Sequence, residues 1–476
     1  MKKFAVIILA ISQTLALSAT SYVPKEGEIR TTVYQTTEDR PLREILTTPF
    51  TKQYYAHKAI ETIDLDDARA DHEYMGCGVS LSDASCWLLS GMGRKARKQF
   101  YRQVFSKEGA NLSMLRLNCG SSDYATEVYN YDDVEGDVGM KHFSIKRDEL
   151  YMIPMIKEVL AYRPDAYLFS AVWSVPGWMK DNGLMIGGHQ LDEYLPAVAN
   201  YWAAYLKAYK DKGIDIRAIS AQNEPETDQD NGAPTTLLSA EQESRLITEF
   251  FPAVFKKNNL DTKVWLLDHT YNHYQRVLNQ LEDPLVKKGI DAIAWHPYEG
   301  IPDNAREVHI RYPEITMHLT ERGPNAAMSQ IQTCGYWCDV IFNALNAGCS
   351  SYSSWNLLLD ENGAPNTGKS PCAGLFTLDS VTGELTSSTQ YQVFCQFSPY
   401  VERGAKILSI DKPKGSWLRT IAFQNPNGDY VVVVSNDGSC KSSERVRAQI
   451  KFKDQYLHLP LPIKTWSMTT VIIKNS

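Results

Sequence analysis

The sequence predicts a (β/α)8 TIM barrel with an appended β-sandwich built from both chain ends. Three observations predict it. Eight short β-rich runs recur between residues 74 and 356 with helical patterns between them, the alternation of a parallel sheet with crossover helices. No Gly-rich phosphate loop follows the first run, which disfavours a doubly wound sheet. From about residue 395 the pattern changes to β-rich segments separated by turns such as Asn425-Pro426-Asn427-Gly428, the pattern of a small sandwich.

Taken in order, residues 1–19 have the layout of a secretory signal. Lys2 and Lys3 precede an apolar stretch from Phe4 to Leu17, and small residues follow, so cleavage is expected near Ala19 and the mature protein is expected to be secreted or periplasmic. The apolar stretch is broken by Ser12, Gln13 and Thr14, short of the roughly 20 residues a spanning helix needs, and no transmembrane segment is expected elsewhere. Residues 23–65 contribute to the sandwich, with a strand expected over Arg30 to Gln35. The barrel occupies 66–394, with strands over Tyr74 to Leu81, Leu112 to Asn118, Ala166 to Val172, Ile216 to Ala221, Lys263 to Asp268, Ala292 to His296, Ile315 to Thr320 and Ser350 to Asn356. Helices are expected over Glu149 to Ala161 and Tyr194 to Lys212, where apolar positions recur at three and four. The sandwich resumes over 395–476, with strands over Trp417 to Phe423, Asp429 to Ser435, Arg445 to Phe452 and Thr465 to Ile473.

Composition narrows the partners. Hydrophobic residues make up 43% and charged residues 22% of 476, a globular balance that leaves no room for a disordered or fibrous chain. The 49 basic against 56 acidic residues give a net charge of -7, which argues against nucleic acid, whose binding needs a basic surface. The 26 Tyr and 10 Trp supply flat apolar faces with polar edges, suited to sugar rings as well as to cores. Nine Cys, an odd number, leave at least one thiol outside any intramolecular bridge, and are expected as buried small hydrophobes with one or two bridges.

In such a barrel chemistry sits at the C-terminal ends of the strands. Two of these ends carry Glu: Gln222-Asn223-Glu224-Pro225-Glu226 after the fourth run and Thr320-Glu321-Arg322-Gly323 after the seventh. They lie 97 residues apart (321 minus 224), about 32 for each of three strand and helix units. Two carboxylates facing one another across the mouth meet the requirement of retaining glycoside hydrolysis, in which one is acid and then base and the other attacks the anomeric carbon. Asn223 is placed to hydrogen-bond a sugar hydroxyl. His269 and His273 lack an acidic ligand between them and are expected as a surface pair rather than a metal site. Glu226, Asp228 and Asp230 are expected as a solvated rim rather than a calcium loop. No metal and no cofactor are expected.

The residues also carry a family resemblance. Gly76-Cys77-Gly78-Val79-Ser80-Leu81-Ser82-Asp83-Ala84, Leu115-Arg116-Leu117-Asn118-Cys119-Gly120-Ser121-Ser122-Asp123-Tyr124 and Ser170-Ala171-Val172-Trp173-Ser174-Val175-Pro176-Gly177-Trp178 resemble the first three strand signatures of glycoside hydrolase family 30. Trp295-His296-Pro297-Tyr298 fits the sixth, and Trp355-Asn356-Leu357 with Gly363-Ala364-Pro365-Asn366 fits the eighth. This family contains lysosomal glucosylceramidase and endo-β-1,6-glucanases. The resemblance implies Glu224 as acid/base and Glu321 as nucleophile. It also implies Asp123, Trp173, Asn223, Trp355 and Asn366 as sugar contacts, Tyr298 as a residue near the nucleophile, and Arg116 as a buried orienting residue. Thr367 follows Asn366 where the family often has Trp. The expected activity is therefore a retaining β-glycoside hydrolase acting on a carbohydrate, with β-1,6-glucan preferred. The rivals are a glucosylceramidase-type β-glucosidase, another β-glycosidase of the family acting on xylosides, fucosides or galactans, and a glycan-binding protein that has lost turnover.

Overall fold

The computed structural model describes residues 28–37, 40–45, 49–55, 60–228, 232–324, 330–368, 372–411, 416, 418–436, 447–461 and 466–475. The leader read at residues 1–19 lies outside them. Eight parallel strands close a barrel: Gly76–Ser80, Met114–Asn118, Tyr167–Ala171, Ala218–Ser220, Lys263–Thr270, Ala292–His296, Thr316–Leu319 and Cys349–Ser354, the last pairing with the first. Each falls on one of the eight predicted runs. Most of these strands are buried along their whole length, as in a parallel sheet covered on both faces.

The inside of the barrel is packed, not open. Met114, Phe169, Ala218, Trp265, Ala292 and Ala294 form one buried cluster. Trp265 lies 4.8 Å from the Phe169 ring and 4.3 Å from the His318 imidazole. Gly78 is required by this crowding: a Cβ there would come within 2.6 Å of the Met114 carbonyl oxygen. With its lower part plugged, the barrel leaves its C-terminal mouth as the place for a site.

Helices Met152–Tyr162 and Leu195–Asp211 replace the expected Glu149 to Ala161 and Tyr194 to Lys212, shifts of one to three residues at the ends. Helix Gln330–Asn346 contains both Cys334 and Cys338. No helix among the described residues is long and apolar enough to cross a membrane.

The second layer is a seven-stranded antiparallel sheet faced by a three-stranded one. The large sheet runs Arg40–Ile45, Thr31–Thr37, Ser467–Ile473, Tyr430–Asn436, Leu418–Gln424, Lys406–Ser409, Arg69–Glu73. The expected early strand therefore does join the late sheet, pairing with Ser467–Ile473. The small sheet is Gln455–Pro460, Arg447–Phe452 and Ile60–Asp64. The run Val431 to Val434 explains how the layers hold together. Val432 and Val434 enter the core between the two sheets, whereas Val431 and Val433 enter the main core with Phe394 and Phe397 of helix Thr389–Phe397. A strand buried on both faces shows no alternation, and the sandwich is thereby fastened to the barrel through apolar surface. The sequence reading missed Gln455–Pro460 and a small sheet of Leu358–Asp360, Phe376–Leu378 and Leu385–Ser387 beside the barrel mouth. The three-residue strands of that small sheet, set among turn residues, carry little pattern.

The expected bridges are not formed by Cys77, Cys86, Cys119, Cys349 or Cys395, all buried thiols. Burial pushes the thiols of Cys77 and Cys395 up to about 12, so they behave as small apolar side chains. The Cys334 and Cys440 side chains lie outside the described residues.

Candidate active site

At the mouth, Glu224 follows the fourth strand with a left-handed φ of 45°, its N–H bonded to the Asp268 carbonyl at 3.0 Å. That strained turn aims its side chain inward. Glu321 follows the seventh strand. Glu224, His296 and Glu321 each bring one atom within 4.8 Å of the other two, so the two carboxylates meet across the mouth, the close approach that a retaining glycosidase needs.

Each carboxylate is held differently. Arg116, in the second strand and fully buried, bonds Glu321 through Nη1, and through Nη2 it reaches Asp268 Oδ2 at 2.7 Å and Asn223 Oδ1 at 2.8 Å. Tyr298 Oη donates to the other Glu321 oxygen at 2.9 Å and accepts the Gly323 N–H at 3.1 Å. Burial first, and then Glu321, push Tyr298 well above the usual phenol range, so it remains a donor. His296, at the end of the sixth strand, bonds Glu224 Oε1 through Nδ1 at 2.9 Å and Asp268 Oδ1 through Nε2 at 3.1 Å.

Asp268 is the hub. It is fully buried and also accepts from Ser220 Oγ at 2.7 Å and Thr320 Oγ1 at 2.5 Å. Burial opposes its charge, but Arg116 and His296 outweigh burial and hold its carboxyl far below the usual range. It reaches this place through a bulge. Leu267 and Asp268 have φ of 77° and 62°, and the fifth-to-sixth strand register shifts there, re-aiming the side chain as bulges at barrel rims do.

The sequence reading missed Asp268 and gave no role to His296. The rule that found Glu224, an acidic residue ending a barrel strand, applies to Asp268 as well; what hid it was an apolar context without a second motif residue.

The pocket between the strand ends has a volume of about 530 Å³. Of the residues the sequence singles out, Glu224, Glu321, Asp123, Tyr298 and Trp355 line it. Arg116, Asn223 and Trp173 lie behind the wall: Trp173 stacks on Trp355 at 5.0 Å, and the Arg116 guanidinium sits 4.8 Å from the Trp173 ring. Asn366 is not in the wall, and its amide donates to the Gly363 carbonyl at 2.8 Å. Thr367 donates its N–H to the Asp123 carbonyl at 2.7 Å and its hydroxyl to that of Ser122 at 3.1 Å, tying the eighth-strand loop to the second. Trp178 is half-buried, bonding the Asp132 carbonyl at 3.0 Å, and packs away from the pocket.

One expectation is corrected. His269 and His273 are not a surface pair: His269 is 4% exposed, the rings stack at 3.9 Å, and both line the pocket. His269 lies near the end of the fifth strand and His273 in the helical turn that follows it, and burial drives the His269 imidazole down to about 3, so it is uncharged. Asp123 is not a helix cap, since the next helical turn begins at Asp148. Glu226 and Asp228 are exposed, as a rim would be, and Glu226 is tied to Arg276 and His273; Asp230 lies outside the described residues.

Asp123 is 8% exposed with Oδ1 unpaired. Burial first, then Glu321 and Glu224, push its carboxyl well above the usual range. A buried carboxyl group with an unused oxygen is primed for sugar hydroxyls, at about 1.5 to 3 kcal/mol for each hydrogen bond to a charged group and less for a neutral one. Asp123→Ala is therefore expected to lower kcat/KM by roughly ten- to a thousandfold while the melting temperature holds. A folded variant with unaltered kinetics would remove Asp123 from the site.

The His296 imidazole is raised to about 9: burial opposes its charge, and Glu321, Asp268 and Glu224 overcome burial. Because the folded value exceeds the unfolded one of about 6.5, the stability it contributes is complete below about 6.5 and is lost as pH rises through about 9. The loss is on the order of 3 kcal/mol. Urea denaturation between pH 6 and 10 is expected to show this loss in the parent protein and not in His296→Gln; parallel pH profiles for the two proteins would reject the assignment.

A family model described as the glycosyl hydrolase family 30 TIM-barrel domain matches residues 74–379. A putative glucosylceramidase 1 of Caenorhabditis elegans is 27% identical over 443 residues, 87% of this chain and 83% of that protein. An endo-1,6-β-D-glucanase of Neurospora crassa is 28% identical over 398 residues, 79% of this chain and 81% of that protein. A solved endo-β1,6-glucanase shares the fold with a TM-score of 0.81 at 22% identity, covering 93% of this chain and 99% of that one.

Proposed function

The chain belongs to glycosyl hydrolase family 30, and from that premise we propose that it cleaves β-1,6-linked glucan by double displacement, with Glu321 as nucleophile and Glu224 as acid and then base. The observation that carries the mechanism is the approach of the two carboxylates to within 4.8 Å. In the first step a Glu321 oxygen bonds the anomeric carbon as its bond to the glycosidic oxygen breaks, and Glu224 gives that oxygen a proton. In the second, water loses a proton to Glu224 and attacks the same carbon, and Glu321 leaves. Arg116 and Tyr298, one on each Glu321 oxygen, orient the nucleophile for this attack.

The choice of glucan over a lipid glucoside is supported by the outer wall. Glu226, Thr227, Asp228, His273 and Glu299 line it, and such polar groups suit a hydroxylated sugar better than acyl chains. Two relatives of comparable identity bear the names glucosylceramidase and endo-1,6-β-glucanase. A panel of β-1,6-glucan, other β-glycans and glucosylceramide decides, and faster hydrolysis of glucosylceramide would reverse the preference. Export through the leader read at residues 1–19 places the enzyme with such a polymer; N-terminal sequencing of the exported protein, starting after about Ala19, tests this.

Stereochemistry tests the mechanism. Two inversions in sequence leave the β configuration, so early-time NMR is expected to show the β-anomer first. An α-anomer formed first would overturn the two-carboxylate reading.

A further inference from the structure

The general acid of this site is itself part of a longer chain. Glu224 is bonded to His296 Nδ1 at 2.9 Å, and His296 Nε2 is bonded to Asp268 at 3.1 Å. Asp268 is fixed by Arg116, Ser220 and Thr320. The imidazole is fully buried, as is Asp268. Burial by itself would raise Glu224, yet the hydrogen bond and charge of His296 hold its carboxyl below the usual range. That is the wrong direction for a group that must donate a proton. Both ring nitrogens face carboxylate oxygens, and Asp268 is already paired with Arg116, so one proton is shared across the 2.9 Å contact between His296 Nδ1 and Glu224.

Resting on the reading of Glu224 as acid/base, we propose that His296 stores the proton that Glu224 delivers and that Asp268 orients His296 for this exchange. In the free enzyme the proton is on His296 Nδ1. As the glycosidic bond breaks, the Nδ1–H bond breaks and a Glu224 O–H bond forms, while the Glu224 carboxyl gives one proton to the departing oxygen. Glu224 ends as a carboxylate and His296 as a neutral imidazole whose Nε2–H still points at Asp268. In the second step the proton that water loses returns through Glu224 to Nδ1, which closes the balance. Asp268 keeps its charge throughout, as the orienting carboxylate does in a nucleophile–base–orienter triad. His296 and Asp268 are positioning residues, since neither lines the pocket. The groups facing the imidazole are Glu224 from the fourth strand end, Asp268 from the fifth, and Glu321 from the seventh at 4.0 Å. Tyr298 of the sixth packs edge-on at 6.0 Å.

The proposal predicts a pH signature that a merely structural histidine would not give. For phenyl β-glucoside, whose leaving group needs a proton, the alkaline limb of kcat/KM in His296→Gln is expected to move down by at least one pH unit, because Glu224 then titrates alone. A limb that stays in place, or a loss equal at every pH, overturns the proposal. Should that variant fail to fold, the parent protein with ¹⁵N-labelled histidine answers instead. One of its 10 imidazoles is expected to stay doubly protonated at pH 8, and finding none overturns the proposal. Glu224→Ala separates the two levels of the argument. If it keeps parent turnover on phenyl β-glucoside, the acid/base reading itself fails; if it loses that turnover while the His296→Gln limb is unmoved, only the proton store fails.

Discussion

Glu321→Ala is expected to lower kcat on an aryl β-glucoside by about 10⁴-fold or more, because losing a nucleophile forfeits the covalent route as a whole. Glu224→Ala is expected to behave differently: its loss should be about 10²- to 10⁴-fold on leaving groups that need a proton and far smaller on dinitrophenyl glucoside, which needs none. Azide distinguishes the two positions by product. In Glu224→Ala it attacks the glycosyl-enzyme from the face left open and gives a β-glycosyl azide. In Glu321→Ala it replaces the nucleophile and gives an α-glycosyl azide. The reverse pattern would exchange the roles, and neither azide product would remove both residues from the chemistry. Neither carboxylate is a major part of the core, so both variants are expected to stay folded.

Arg116 carries the second large effect, and it falls on stability as well as on rate. Its guanidinium is fully buried, pairs with Asp268 and Glu321, and lies over the Trp173 and Trp355 rings at 4.8 and 5.5 Å. Arg116→Ala leaves the buried carboxylates of Asp268 and Glu321 without their shared cation, at a cost of about 3 to 5 kcal/mol. The stacked Trp pair loses its cationic neighbour as well. A large fall in the denaturation midpoint is expected together with loss of turnover. Arg116→Ala combined with Asp268→Asn is expected to destabilise less than the two separate losses summed, since the charge left unpaired by the first change is removed by the second. Strict additivity would show that the two side chains are not coupled.

Local pattern sufficed wherever an element buries its own apolar surface. The eight barrel runs were visible because each is a short β-rich stretch set off from the next by a helical pattern. The strands Leu418–Gln424, Tyr430–Asn436 and Ser467–Ile473 were legible to within one or two residues for the same reason. Glu224 and Glu321 were found by position, at strand ends, and the family motifs agreed. Short pieces such as Leu358–Asp360 escaped because three residues hold less than two periods of a strand.

The sequence by itself determined the barrel, the sandwich drawn from both ends, and the two facing carboxylates, since each depends on periodicity or on rank along the chain. Tertiary structure alone decided the rest of the site. A bulge at Leu267 and Asp268 turns one carboxyl into the meeting point of Arg116, Ser220, His296 and Thr320, which come from four other strand ends. The tertiary fold also brings His269 and His273 from an expected surface into the pocket wall. The physical reason is that charge pairing between buried groups is fixed by angstrom-scale geometry among residues tens to hundreds of positions apart. Periodicity records which face of a strand is buried; it does not record which buried charge meets which.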